Sequence, residues 1–277
     1  MPATQALSYD VFTAPEKPFV GPQPAVGDAP AWDPTTSTLI FGAREAVLVD
    51  PLMTVSEANA LADWVGLHDR RLTTIYITHG HGDHYLGLPV MLNRFPDART
   101  VAAPGTARHM QQDTQPLDNS LRALFPGQIA DTVPLPEPLE SPEIELEGSV
   151  IEVVETGRTD TLDTTSLHVP DLGLIVSGDV AYNHCHMYVG DTTANGRAEW
   201  IAALDRLAEL NPAAVVTGPK DPTQGNPPEV LAESRGYLEY YGQLRDEGVS
   251  DQQLFDAMVD RYPSWVSRQQ FLILGLS

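Results

Sequence analysis

Hydrophobic and polar positions divide this chain into short strand-like runs alternating with helical ones. Residues 37–41 and 46–49 are apolar, β-type runs separated by Gly42-Ala43-Arg44-Glu45, a turn of hairpin length. Asp50-Pro51 ends the second run. Residues 56–67 place Ala58, Leu61, Ala62 and Val65 on one helical face. Residues 72–77 form a buried strand, and a loop over 78–84 leads into a helix over 87–95. A strand follows at 100–103, then a helical, mobile stretch over 105–127. The proline-rich, acidic residues 131–147 read as loop with edge strands. Further strands are expected at 150–155, 164–169, 173–177 and 213–217. Between them lies a helix over 198–210, with Trp200, Leu204, Leu207 and Leu210 on one face. A long helix covers 230–244, and the last thirty residues alternate helix-like and apolar pieces. Strands followed by helices in both halves, without an internal repeat, define an α/β chain.

Residues 14–36 are rich in Pro, Ala, Gly and Asp and show no apolar period. They predict an extended arm laid over the body. The expected division is an N-terminal arm over 1–36 and a single domain over 37–277.

Composition narrows the function. The chain has 277 residues, 16 basic and 38 acidic, a net charge of −22. A phosphate backbone is bound by clustered Lys and Arg, and Lys17 and Lys220 are the only lysines here. Nucleic acid is therefore excluded as a partner, and an anionic membrane surface is disfavoured for the same reason. An apolar fraction of 42% argues against a disordered chain. Cys185 is alone and cannot form an internal disulfide, which fits a reducing compartment. No apolar run reaches the ~18 residues of a spanning helix, and the N-terminus lacks the basic start and apolar segment of a signal peptide. A cytoplasmic location is expected by elimination. Oligomeric state is not readable.

The stretch that carries chemistry is Thr78-His79-Gly80-His81-Gly82-Asp83-His84, directly after the strand at 72–77. Positions 79, 81 and 84 do not share one strand face or one helix stripe. A loop at a strand end can bring them to one point, and Gly80 and Gly82 permit the tight backbone this needs. Imidazole nitrogen and carboxylate oxygen are preferred ligands for zinc and similar divalent ions.

This stretch resembles the signature His-x-His-x-Asp-His of the metallo-β-lactamase fold superfamily. Ser177-Gly178-Asp179 resembles that family's Gly-Asp, whose carboxylate bridges two metals. Val215-Val216-Thr217-Gly218 resembles the strand before its last metal loop, and residues 38–50 its opening hairpin. The resemblance implies a four-layer αββα sandwich. It also implies a metal site with His79, His81, Asp83, His84 and Asp179 among the ligands.

Two positions depart from the pattern. The family supplies one further histidine in a Gly-His-Thr-Asp-Thr-like stretch, where this chain reads Gly157-Arg158-Thr159-Asp160-Thr161. It supplies another in a Gly-His-Lys-like stretch, where this chain reads Gly218-Pro219-Lys220. Guanidinium does not ligate a metal, and proline has no ligand side chain. Three readings remain open. One or two zinc ions still bind, substoichiometrically or fully, with Asp160, His184 or His186 replacing the missing ligands. Alternatively, Arg158 stands in for a lost metal among Asp83, Asp160, Asp163 and Asp179. In the third, the fold serves as a metal-poor binding protein.

The leading expectation is a metal-dependent hydrolase of a small ester, lactone, thioester or amide. A metal-activated water would attack, and Asp83 would orient it or accept its proton. The rival enzyme class is a lyase, cyclase or isomerase using Arg158 and carboxylates. Of the remaining candidates, His68 and His109 read as surface histidines and His168 as a packed strand residue. Cys185 reads as an inert buried thiol. Lys220 is either a substrate-carboxylate ligand or a solvated loop residue. Trp32, Tyr85 and Tyr182 either line a pocket or belong to the core.

Overall fold

The computed structural model describes residues 6–21, 31–112, 115–190 and 192–267. The first half of the chain runs β1 (Ser8–Thr13), β2 (Lys17–Pro18), β3 (Ala31–Trp32), β4 (Thr36–Phe41), β5 (Glu45–Val49), α1 (Val55–Leu67), β6 (Arg71–Ile77), α2 (Leu88–Arg94), β7 (Arg99–Ala102), α3 (Pro104–Gln112), α4 (Gln115–Leu124) and β8 (Glu137–Pro138). The second half runs β9 (Glu143–Leu146), β10 (Ser149–Gly157), β11 (Thr164–Val169), β12 (Leu174–Gly178), α5 (Ala194–Glu209), β13 (Ala214–Thr217), α6 (Val230–Asp246) and α7 (Asp251–Arg261).

Each half contributes one main sheet. The first has six strands in the order β1-β4-β5-β6-β7-β8, and the second has five in the order β13-β12-β11-β10-β9. The alternation of side chains along a strand explains the layers. In β4, β5 and β6, Leu39, Leu48 and Ile75 point into a core shared with Leu61 and Val65 of α1 and Met91 of α2. Their neighbours Ile40, Val47 and Tyr76 point the other way, into a core between the sheets with Ile151, Leu167, Val176 and Val216. On the far side, Ile175 and Val215 meet Trp200, Leu204 and Leu207 of α5 and Tyr237 and Leu238 of α6. Both faces of each sheet are covered, and the layers run helix, sheet, sheet, helix. The αββα expectation describes this architecture.

Local chemistry sets the element ends. Thr54 caps α1 in a reciprocal box with Glu57. The 42–45 turn joins β4 and β5 antiparallel, as expected. Its amides at Ala43, Arg44 and Glu45 all donate to the Glu147 carboxylate, at 3.2, 2.6 and 2.8 Å. The edge strands expected within 131–147 are β8 and β9, one at the margin of each sheet.

Part of the expected arm over 1–36 is paired with the body. Ser8–Thr13 pairs antiparallel with β4 along its whole length and forms the outer strand of the first sheet. None of its six residues is buried, so its apolar signal is weak in sequence. Residues 1–5 and 22–30 of the expected arm and residues 268–277 lie outside the described residues.

The site-bearing loops converge at one end of the sandwich. They follow β5, β6, β10, β12 and β13. Thr165 ties the two sheets there. Its backbone N–H and hydroxyl donate to the Thr78 carbonyl at 3.0 and 2.7 Å, and its hydroxyl lies 2.8 Å from the Tyr76 phenol.

Candidate metal centre

The loop after β6 carries the histidines. Residues 82–84 close in a single 3-10 turn, which places Asp83 and His84 on the inner side. His79 and His84 are buried with ring centroids 4.2 Å apart, and His81 lies edge-on to His79 at 5.0 Å. One carboxylate, Asp50, orients the loop from the end of β5. Its Oδ1 accepts from the Thr78 amide at 2.8 Å. Its Oδ2 accepts from the Thr78 hydroxyl at 2.7 Å and faces His84 Nδ1 at 2.8 Å. Since a carboxylate only accepts, His84 Nδ1 carries the proton. The Thr78 hydroxyl has given its hydrogen to Asp50, so it accepts from His79 Nδ1 at 3.0 Å. Both imidazoles are thereby fixed with Nε2 turned toward the site.

The β10–β11 turn supplies the next group. Arg158 points outward and Asp160 points inward. Arg158 is 40% exposed, and its Nε lies 3.9 Å from Glu199 on α5. Thr159 anchors the inward turn, donating its hydroxyl to Asp160 Oδ1 at 2.7 Å. Asp160 Oδ2 then lies 2.8 Å from His81 Nδ1 and 3.6 Å from His79 Nε2.

Asp179 enters from the end of β12 between the two groups. Its Oδ1 is 3.0 Å from His84 Nε2 and its Oδ2 is 3.9 Å from His79 Nε2. Two close approaches make room for it. Gly178 has φ +54°, and a Cβ there would lie 2.7 Å from the Thr78 hydroxyl. A Cβ on Gly218 would lie 2.1 Å from Asp179 Oδ1 and 2.9 Å from His84 Cε1. Glycine is required at both positions.

Three overlapping groups of ligand-type atoms result among the described residues: His79, His81, Asp160 and Asp179; Asp83, His84 and Asp179; and Asp50, His79 and His84, in which Asp50 is already bonded to Thr78 and His84. The residues fit a divalent ion. Nε2 of His79 is buried with no hydrogen bond, and Asp160 Oδ2 and Asp179 Oδ1 face only the imidazoles of His81 and His84 at 2.8 and 3.0 Å, although buried polar atoms are normally paired. Nitrogen and carboxylate oxygen are also the donor set of zinc.

Burial and neighbouring charges compete in setting the protonation of these side chains. Burial pushes Asp179 up to about 6, against the pull of His84 and with the push of Asp160 and Asp83. Burial would raise Asp160 too, but the imidazoles of His81 and His79 hold it well below the usual carboxylate range. Burial, then neighbouring His84, drives His79 well below the ordinary imidazole value. At His84 burial acts in the same downward sense, and Asp179, Asp83 and Asp50 outweigh it, so His84 is raised. His81 is likewise raised by Asp160 in spite of burial.

The expected residues divide as follows. His79, His81, Asp83, His84, Asp160 and Asp179 come together. Arg158 does not; its charge is outside the site, so the structure does not place it as a metal surrogate or catalytic group. Asp163 is exposed, with its carbonyl accepting from the Thr106 hydroxyl at 2.6 Å. His184 stacks on Trp265 and His186 faces the Tyr237 phenol at 3.1 Å, so neither replaces a ligand. Burial pushes the Cys185 thiol well up, consistent with an inert residue. Trp32 and Tyr182 reach the site itself. The Trp32 indole donates to Asp83 Oδ2 at 3.2 Å, and the Tyr182 phenol donates to Asp179 Oδ2 at 3.4 Å. Tyr85 instead donates to Asp118, and Lys220 donates to Asn226. Sequence reasoning missed the role of Asp50. The one available signal was its place at the end of a strand beside the strand that feeds the histidine loop.

The fold and the two histidine–carboxylate sets that share Asp179 define a metallo-hydrolase. The chain belongs to the metallo-β-lactamase superfamily, whose family model matches residues 30–218. It is similar to a protein of Parasynechococcus marenigrum named hydroxyacylglutathione hydrolase, 26% identical over 234 residues, covering 78% of this chain and 73% of that protein. A protein of the same name from Actinobacillus pleuropneumoniae is 28% identical over 100 residues, 36% of this chain and 38% of that protein. Among solved structures, a metallo-β-lactamase family protein from Thermus thermophilus superposes with a TM-score of 0.61 at 19% identity, covering 95% of this chain and 92% of that one. A metallo-β-lactamase from Pontibacter korlensis gives a TM-score of 0.61 at 14% identity, covering 86% and 97%. At such identities the structural likeness carries the fold alone. Family and relatives together make this chain a hydrolase. Among the described residues, no helix is long and apolar enough to cross a membrane.

Proposed function

We propose that this enzyme hydrolyses a small acyl compound, an ester, lactone, thioester or amide, at a zinc centre held by His79, His81, Asp160 and Asp179. The observation that carries this reading is that ligand-type atoms of His79, His81, Asp160 and Asp179 lie within 4.8 Å of one another, with Asp179 shared by a second group that holds His84 and Asp83. The named activity of the relatives adds weight to a thioester, since an acylglutathione is one. A bound zinc ion would polarise the carbonyl and make a water nucleophilic near neutral pH.

The chain's own residues supply the remainder. Asp50 and Thr78 hold the His79 and His84 rings in the ligating tautomer. Trp32 fixes one Asp83 oxygen, leaving the carboxylate oriented to receive a proton from the attacking water. Asp179 spans both ligand sets and holds them in register. The net charge of −22 and the scarcity of lysine support a small-molecule substrate rather than nucleic acid or an anionic membrane. A cytoplasmic location is part of the same reading.

The test is a panel of small thioesters, esters, lactones and amides, assayed with zinc-loaded and chelator-treated protein. Zinc-dependent turnover of one acyl class supports the reading. Turnover of none of them by zinc-loaded protein overturns it.

A further inference from the structure

The turn that brings Asp160 into the site has no apolar anchor of its own. It reads Gly157-Arg158-Thr159-Asp160-Thr161-Leu162-Asp163, and its one large apolar side chain, Leu162, is 41% exposed. Hydrogen bonds must therefore fix its shape. Its base is closed from within. The Thr164 hydroxyl donates to the Gly157 carbonyl at 2.8 Å, the Thr156 hydroxyl donates to the Thr164 carbonyl at 2.8 Å, and the Thr159 amide donates to the Thr161 carbonyl at 2.9 Å. Its outer limb, Leu162 and Asp163, is bonded from outside, by α3.

Three contacts make that join. Thr106 is fully buried, and its hydroxyl donates to the Asp163 carbonyl at 2.6 Å. His109 is half-buried, with Nδ1 at 3.1 Å from the Leu162 carbonyl. A carbonyl only accepts, so Nδ1 carries the hydrogen. Residues three apart share a helix face, which lets Thr106 and His109 reach the same limb. Gly105 allows the helix to come close, since a Cβ there would lie 2.8 Å from Asp163 Oδ1. Asp163 itself has φ +52°. A non-glycine residue in that region costs on the order of 1 kcal/mol and persists where its surroundings hold it.

Asp160 lies just before this limb. Its carboxylate is buried, a placement that costs several kcal/mol unless charge compensates it. It reaches His81 Nδ1 at 2.8 Å and shares a ligand group with His79 and Asp179. A limb released from α3 would let the turn open toward solvent, where water hydrates the carboxylate. We infer that Thr106 and His109 are positioning residues for Asp160: α3 clamps the β10–β11 turn and so sets the affinity of the first ion position, formed by His79, His81, Asp160 and Asp179. The inference rests on the metal-centre reading of the proposed function and extends it to a helix that sequence alone reads as mobile. Coupling of this kind is reciprocal. If the clamp tightens ion binding, a bound ion tightens the clamp, and α3 opens less often when the site is filled.

The experiment titrates chelator-stripped protein with cobalt(II), read by the visible absorption of the ion, and measures amide hydrogen exchange over residues 104–112 with and without cobalt. Thr106→Val keeps the shape and removes the hydroxyl, and His109→Ala removes the ring. Each should weaken cobalt binding by about tenfold, the lower end of what loss of a ligand-supporting group produces. Thr106→Ser and His109→Asn, which return a donor to the same place, should bind cobalt as the natural protein does. Cobalt should slow exchange over 104–112 in the natural protein, a measurement that decides the matter even where a variant folds poorly. Natural affinity in both Thr106→Val and His109→Ala, a loss that the conservative variants do not rescue, or exchange over α3 indifferent to cobalt overturns the inference and leaves the hydrolase reading standing. Natural protein that binds no cobalt overturns both.

Discussion

Asp50 Oδ2 lies 2.8 Å from His84 Nδ1, and the same oxygen accepts the Thr78 hydroxyl whose own oxygen faces His79. One buried carboxylate thus determines which nitrogen each of two histidines turns toward the site. Asp50→Asn should preserve the fold while loosening both rings. Zinc affinity should fall by about 10–100-fold, the usual effect of removing a group that orients ligands. Competition with a chromophoric chelator measures it, and unchanged affinity would remove Asp50 from the account.

Arg158 should be dispensable. It is exposed and its partner Glu199 is at 3.9 Å, a surface pair of little energetic weight. Arg158→Ala should leave metal content and turnover unchanged and alter stability by no more than about 0.5 kcal/mol. A large loss of zinc would mean that the β10–β11 turn carries Arg158 inward.

Gly218 should not tolerate a side chain. The added methyl of Gly218→Ala would sit 2.1 Å from Asp179 Oδ1. Either Asp179 moves away from His84 or the loop shifts, at a cost of about 1–3 kcal/mol. Thermal unfolding should show the destabilisation, and metal analysis should show reduced content. A variant with natural stability and full metal content would contradict the close approach.

Metal binding should strengthen as pH rises. In the metal-free protein Asp179 titrates near 6 rather than at its ordinary 3.8, and His81 and His84 are raised as well. Each must lose its proton to ligate an ion, whereas His79, already held low, need not. Affinity should therefore climb as pH rises through about 6, where Asp179 loses its proton, and keep climbing as His81 and His84, both raised above the ordinary 6.5, lose theirs, with protons released on binding. For stability without metal, the folded chain keeps the Asp179 proton that the unfolded chain has lost, so this group's contribution declines as pH rises from 3.8 to about 6. Calorimetry in buffers of different ionisation enthalpy counts the protons. Affinity independent of pH would contradict the assigned ligands.

The sequence carried the fold well because central strands such as β5, β12 and β13 are largely buried and read as short apolar runs. β1 escaped because an edge strand with exposed residues lacks that signal. His79, His81, Asp83 and His84 were legible as a cluster within one loop. Asp160 was legible only as an alternative. Its neighbour Arg158 occupies the position where the family pattern has histidine, and a turn anchored by Thr159 decides which of the two faces inward. Asp50 gave almost no signal. It is a single acid among 38 acidic residues, and the pairing of strands is what brings it to His84.

The central claim is that the His79, His81, Asp160 and Asp179 set holds the ion on which hydrolysis depends. The most direct measurement is zinc content and acyl-hydrolase turnover determined together, for the natural protein and for Asp160→Asn. The natural protein should lose turnover on chelation and recover it in proportion to zinc returned. Asp160→Asn should fold normally, bind zinc at the first position far more weakly, and lose turnover with it. Full zinc affinity and full turnover in Asp160→Asn, or turnover that persists without metal, would contradict the account.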